Sequence, residues 1–99
     1  MILHLVNKSP FNDHCLGDCL NAIADCDALL LLEDGVYGAL TSFNDKEKMQ
    51  TIANAGNLYA LEADVNSRGL SSLISSLNVI NDKEFVQLTV QYPLSQSWF

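Results

Sequence analysis

Apolar residues come in unbroken runs at several places along the chain, instead of alternating with polar ones. In the run Leu29–Leu32 there is no period of two, so both faces of the strand that it predicts must be buried. Ile2–Val6 is a second run of this kind, interrupted only by His4. Strands buried on both faces belong to parallel sheets that carry helices on either side. The pattern therefore predicts a three-layer α/β protein, with a mainly parallel sheet of four or five strands and helices on both faces.

Between these runs, apolar residues recur at spacings of three and four, which predicts helices. The first helix is capped by Asn12 or Asp13 and continues to about Ala24. The later elements are a helix from Asn44 or Asp45 to Gly56, a strand Leu58–Leu61, a short helix Glu62–Gly69, a strand Val79–Ile80, and a helix from Asn81 to about Pro93. No strand pattern marks the tail, where Trp98 and Phe99 are expected to be exposed.

The length of 99 residues predicts a single domain over positions 1–99. Twelve acidic against five basic residues give a net charge of −7, and the basic ones are scattered. Because phosphate binding requires clustered Lys and Arg, the chain alone is not expected to bind RNA or DNA. Only 17% of the residues are charged, against about 25% in typical domains. This leaves two equal alternatives, a subunit interface or a neutral surface of Ser and Asn.

No run approaches the ~18 apolar residues of a membrane span, and Met1–Val6 is too short for a signal peptide. We therefore expect a cytoplasmic protein that does not contact membranes. Cys15, Cys19 and Cys26 would then be free thiols, because disulfides are rare in a reducing compartment.

Glu33, Asp34 and Gly35 follow the Leu29–Leu32 strand directly, and open α/β sheets place their sites at the carboxyl ends of strands. The alternative is that the two acids favour the positive end of the next helix. Glycine-rich nucleotide motifs and hydrolase motifs are absent, so no cofactor is predicted. No metal site is predicted either, since the cysteines lack a second pair of ligands. His4 is expected to be a hydrogen-bonded core residue.

Cys19 lies in the middle of the first predicted helix, beside its apolar face. It is either a small buried side chain or a thiolate that carries sulfur. The second role requires exposure and a nearby positive group, for which Lys8 and His14 are the candidates in sequence. We expect Cys19 at the border of the buried face, where a thiol is half covered.

Four segments together resemble the DsrH/TusB family over the whole chain. They are His4–Phe11, Leu29–Tyr37, Leu58–Leu61 with Asp64 and Ser67–Leu70, and Phe85–Val90 with Gln96 and Trp98. The resemblance implies the fold of the DsrE/DsrF/DsrH sulfur-relay proteins. It also implies a heterohexamer with two copies each of this chain, a C-type (DsrF-like) subunit and a D-type (DsrE-like) subunit, the last carrying the principal sulfur-accepting cysteine.

The resemblance leaves three roles open. In a TusBCD-type complex, persulfide sulfur passes toward 2-thiolation of the tRNA wobble uridine; in a DsrEFH-type complex, the relay serves sulfur oxidation. The chain is alternatively a non-catalytic structural subunit. Whether it is an enzyme stays open, and we do not expect it to be catalytic outside the sulfurtransferase complex. Cys19 resembles a first-helix cysteine of some family members and is the candidate catalytic residue, at best as a secondary sulfur carrier.

Overall fold

The computed structural model describes all of residues 1–99. Its strands are β1 (Leu3–Val6), β2 (Ala28–Leu31), β3 (Leu58–Leu61), β4 (Asn78–Ile80) and β5 (Ser95–Trp98). Its α-helices are α1 (Cys15–Ala22), α2 (Lys46–Asn54), α3 (Glu62–Ser67) and α4 (Asp82–Gln91), and a 3-10 helix spans Glu33–Ala39.

The five strands form one sheet in the order β4-β3-β2-β1-β5, and every pairing is parallel. β2 occupies the centre and is buried at all four of its positions. The unbroken leucine run thus lies where an apolar strand is covered on both faces, and the predicted parallel sheet is confirmed. None of the helices has the length and apolar character needed to cross a membrane.

One face of the sheet is covered by α1, α2, α3 and the 3-10 helix. Leu16 of α1 and Met49 of α2 are fully buried there against Leu29 and Leu31 of the central strand. Alternate residues of each strand point to this face, because strand side chains alternate between faces. This is the larger of the two cores, and Cys19 belongs to it.

The opposite face is covered by α4 alone. Leu88 of this helix and Tyr92, which directly follows it, pack on Leu3, Leu30 and Ile80. At its start, the Asn81 side chain accepts from the Glu84 amide while Glu84 accepts from the Asn81 amide. The capping box predicted for this helix is therefore confirmed. With helices on both faces, the three-layer architecture is confirmed as well.

The prediction for the tail was wrong for Trp98 and is confirmed for Phe99, which is exposed. Ser95–Trp98 forms β5, which pairs with β1 at the edge of the sheet, and Trp98 is half-buried. The strand escapes detection because three of its four side chains, Ser95, Gln96 and Ser97, are polar and exposed. Pairing of backbone groups with β1, which no side-chain pattern records, determines its conformation.

Candidate functional site

The carboxyl ends of β1 and β2 border a shallow polar cleft of about 400 Å³. Its lining consists of polar residues only, namely Asn7, Lys8, Ser9, Asn12, Asp13, Glu33 and Asp34. The acids after β2 thus lie at the edge where the sequence predicts a site. Asn7 Oδ1 is buried at this edge without a hydrogen-bond partner.

One arginine and one backbone amide bind the carboxylates beside the turn after β2. Arg68 Nη2 lies 2.9 Å from Asp34 Oδ1, and Arg68 Nη1 lies 3.4 Å from Asp64 Oδ1. The backbone amide of Glu33 donates to Asp64 Oδ2 over 2.7 Å. Neither Glu33 nor Asp34 caps the 3-10 helix through its side chain. The cluster therefore ties the turn after β2 to α3, and its own cation, Arg68, is engaged by Asp34 and Asp64.

Cys19, the predicted sulfur carrier, is fully buried in the larger core. The expectation of a half-covered thiol was wrong, because α1 turns position 19 directly toward the sheet. Burial, and then the negative charge of Asp27, raise the pKa of Cys19 to about 12. Lys8 lies in the polar cleft, and His14 is exposed at the start of α1. In this conformation the thiol is therefore protonated and shielded, which disfavours nucleophilic chemistry.

The other two cysteines lie in different surroundings. The residue at the N-cap of α1 is His14, without a side-chain capping hydrogen bond, so the predicted cap at Asn12 or Asp13 was wrong. Asp13, just before the helix, instead accepts through Oδ1 from the backbone amide of Cys15 over 2.8 Å. Hydrogen bonding to Asp13 raises the pKa of the Cys15 thiol. Cys26 is exposed in the loop between α1 and β2. Lys8 favours the Cys15 thiolate, but its effect on the pKa is smaller than the opposing effect of Asp13.

A buried hydrogen-bonded chain runs through His4. Its Nε2 lies 2.9 Å from Asp27 Oδ2, and Trp98 Nε1 donates to its Nδ1 over 3.0 Å. Backbone amides of Ile2 and Ala24 also donate to the Asp27 carboxylate. Burial alone would raise the pKa of Asp27, but the hydrogen bonds from the imidazole and the two amides lower it to about 2. His4 is thus a hydrogen-bonded core residue, as predicted.

Sequence reasoning missed both partners of His4. A histidine in an otherwise apolar strand needs polar partners when buried, which was a usable signal for Asp27. Trp98 could be found only with the pairing of β1 and β5 known. No three His, Cys, Asp or Glu side chains come together in a geometry that could hold a metal ion.

Among solved structures, the chain resembles the ychN protein of E. coli. The TM-score is 0.81 at 16% sequence identity, and the match covers 98% of each chain. At this identity the similarity establishes the fold.

Sequence comparison gives closer relatives. A protein named Protein TusB from Pectobacterium parmentieri is 37% identical over 98 residues, and one of the same name from Pectobacterium carotovorum is 40% identical over 98 residues. The Protein TusB of Escherichia coli K12 is 33% identical over 99 residues. Each match covers 98% of this chain and 100% of the relative. The family model described as "DsrH like protein" matches residues 8–94, and the chain therefore belongs to the DsrH/TusB family.

Proposed function

We propose that this chain is the B-type subunit of a cytoplasmic sulfur-relay complex that supports persulfide transfer for 2-thiolation of the tRNA wobble uridine. The observation that carries the proposal is full-length similarity, between 33% and 40%, to relatives named Protein TusB. The partners in this proposal are a C-type (DsrF-like) and a D-type (DsrE-like) subunit, with two copies of each chain in a heterohexamer.

Within this complex, we assign the chain a mainly structural role. Its candidate carrier, Cys19, is fully buried, and its pKa is raised to about 12. Persulfide transfer requires a thiolate that meets the sulfur donor directly, and a shielded neutral thiol reacts slowly. The D-type subunit is therefore proposed as the principal sulfur acceptor. Cys19 stays a predicted secondary carrier that would need to be uncovered before it reacts.

The surface of α4 supports association with other chains. Val86 and Val90 lie one helical turn apart and are 60% and 78% exposed, and Leu94 beyond the helix is 63% exposed. Charged side chains, which favour exposure to water, make up only 17% of the chain. Apolar side chains of this kind are typical of subunit interfaces.

The net charge of −7 supports a division of labour in the complex. The five basic residues form no patch on which a phosphate backbone could lie. The tRNA is accordingly proposed to meet another component of the pathway, while this chain holds its partner subunits.

The test uses two strains of the native host. In the first strain this chain carries an affinity tag, and in the second strain its gene is deleted. We expect the tagged chain to co-purify with C-type and D-type subunits, and deletion to abolish 2-thiouridine at the wobble position, measured by mass spectrometry of digested tRNA. Unchanged thiolation together with lost growth on reduced sulfur compounds would instead assign the chain to sulfur oxidation.

The structural role has a separate test, with matched cysteine variants in the assembled complex. Cys19→Ala should leave the hexamer intact and most thiolation in place, as should Cys26→Ala at an exposed position. Loss of thiolation in Cys19→Ala alone, with the hexamer still formed, would make Cys19 a required relay residue and overturn the assignment.

A further inference from the structure

The hydrogen bonds of His4 establish which of its nitrogens carries the proton. The Asp27 carboxylate can only accept, so His4 Nε2 donates to it over 2.9 Å. The Trp98 indole can only donate, so His4 Nδ1 must accept from it over 3.0 Å. The imidazole is therefore neutral, with its single proton on Nε2. Only this tautomer satisfies both partners.

Strand β5 depends on Trp98 for its attachment. Its other side chains, Ser95, Gln96 and Ser97, are exposed, and only Trp98 packs against the larger core. The backbone of β5 pairs with β1 on one side and has no strand on the other. A parallel edge strand without buried side chains is weakly held, because most sheet stability comes from side-chain packing. Trp98 is thus the single side-chain anchor of this strand.

We propose that β5 is a pH-gated latch: protonation of His4 at Nδ1 removes the acceptor of the Trp98 indole, and Ser95–Trp98 detaches from β1 while the other four strands stay paired. Once Nδ1 carries a proton, two N–H donors would face each other at the present distance of 3.0 Å. The indole must then move away, and the strand loses the packing of its only partly buried side chain.

The surroundings of His4 favour release of β5 over loss of the whole fold. Asp27 stays ionised, since its pKa is about 2, and stabilises the imidazolium through the existing Nε2 hydrogen bond. The Met1 ammonium lies 3.9 Å from the same carboxylate, on its Oδ1 side. Cys19 of helix α1, whose thiol is affected by the charge of Asp27, is neutral because of its raised pKa.

The neighbouring strands add no charge beside His4. Its register partners are Leu29 on β2 and Gln96 on β5, neither of which titrates. The latch is therefore closed when His4 is neutral, and it opens as the pH falls. Histidine side chains as a class change charge between pH 5 and 8, which is the interval to be scanned.

Trp98 is the only tryptophan of the chain, so its fluorescence reports on β5 directly. The experiment measures acrylamide quenching of the full-length chain from pH 8 to pH 5, with far-UV circular dichroism on the same samples. We compare the unmodified chain with His4→Gln, whose amide can donate to Asp27 without titrating, and with His14→Gln, which removes the other, exposed histidine. The expected result is an increase in the quenching constant for the unmodified chain and for His14→Gln, none for His4→Gln, and constant helical content.

A second measurement needs no variant and covers the case in which His4→Gln fails to fold. Hydrogen exchange of the Trp98 indole N–H and of the Leu30 amide is followed by NMR over the same pH range, after correction for intrinsic exchange. Selective loss of protection at the indole supports the latch. Equal loss at both positions, pH-independent quenching, or the same pH response in His4→Gln would overturn it.

Discussion

Gly35 lies against the carbonyl group of Val6, so closely that a Cβ at position 35 would overlap the Val6 oxygen. The same oxygen accepts from the backbone amide of Leu32 over 3.1 Å. The turn after β2 therefore rests directly on the end of β1, without a side chain between them. This contact places Glu33 and Asp34 on the polar cleft at the carboxyl edge of the sheet.

Replacing Gly35 by Ala should destabilise the protein by about 1–3 kcal/mol, since a methyl group inserted into packed backbone forces the 3-10 helix away from the end of β1. The measurement is the denaturant midpoint of the purified chain. Gly17→Ala is the matched control: it lies within α1 with nothing within 4 Å of the added Cβ. That variant should gain up to ~1 kcal/mol, because Ala is the better helix former. A Gly35→Ala variant as stable as the original chain would contradict the contact.

The lowered pKa of Asp27 predicts that the folded protein loses stability in acid. Its pKa is about 2, below the ordinary value of 3.8. A lowered carboxyl pKa contributes stability that is complete above the unfolded-state value and is lost as the pH falls through the folded-state value. The contribution is on the order of 2 kcal/mol and should disappear between about pH 4 and pH 2.

The check compares thermal unfolding of the original chain and Asp27→Asn over that range. We expect a wide gap in unfolding temperature at pH 6 that narrows toward pH 2, as the carboxylate becomes protonated. Asp25→Asn, at an exposed position in the same loop, serves as control and should follow the original chain. A gap of constant width would show that Asp27 contributes through its shape and not through its charge.

The three cysteines should differ in reactivity toward a small alkylating reagent. Cys26 is exposed and should react first, while Cys19 is buried with its pKa at about 12 and should react at least about 100-fold more slowly. Cys15 should fall between them, since Asp13 raises its pKa. Peptide mass spectrometry after timed alkylation gives the rates, and labelling in urea shows that all three sites can react. Comparable rates for Cys19 and Cys26 in the folded chain would be inconsistent with this structure.

The isolated chain should have negligible affinity for RNA. Its net charge of −7 repels phosphate, and its basic residues are dispersed. We expect no binding of tRNA below about 100 μM at physiological salt, measured by fluorescence anisotropy, whereas general nucleic-acid binders reach that range through clustered Lys and Arg. Tight, salt-sensitive binding would contradict the prediction.

The central strand of the sheet could be predicted from the sequence because consecutive residues determine its position. Leu29–Leu31 are buried on both faces, and an unbroken apolar run has that one stable location in a small α/β domain. The capping box formed by Asn81 and Glu84 could also be predicted from the sequence, since its partners lie three residues apart.

The missed features depend on residues far apart in the chain. Whether Cys19 is fully or half buried depends on how α1 is rotated about its own axis on the sheet. The spacing of apolar residues predicts this rotation only approximately, so it does not distinguish a buried position from the position beside it. The partners of His4 come from the loop before β2 and from β5, and no local pattern joins them.

The strand order also bears on how the chain is completed during synthesis. β1 leaves the ribosome before the other four strands, yet the residues joined by the His4–Trp98 hydrogen bond are 94 positions apart. Contacts of such long separation form slowly, because a large loop must close first. Until β5 arrives, the nascent chain presents the open edge of β1, and an unpaired strand edge is a template for pairing with another chain. Between the emergence of β1 and that of β5, the chain therefore exposes an unpaired strand edge beside its central strands, and its demand for chaperones should be greatest in that interval.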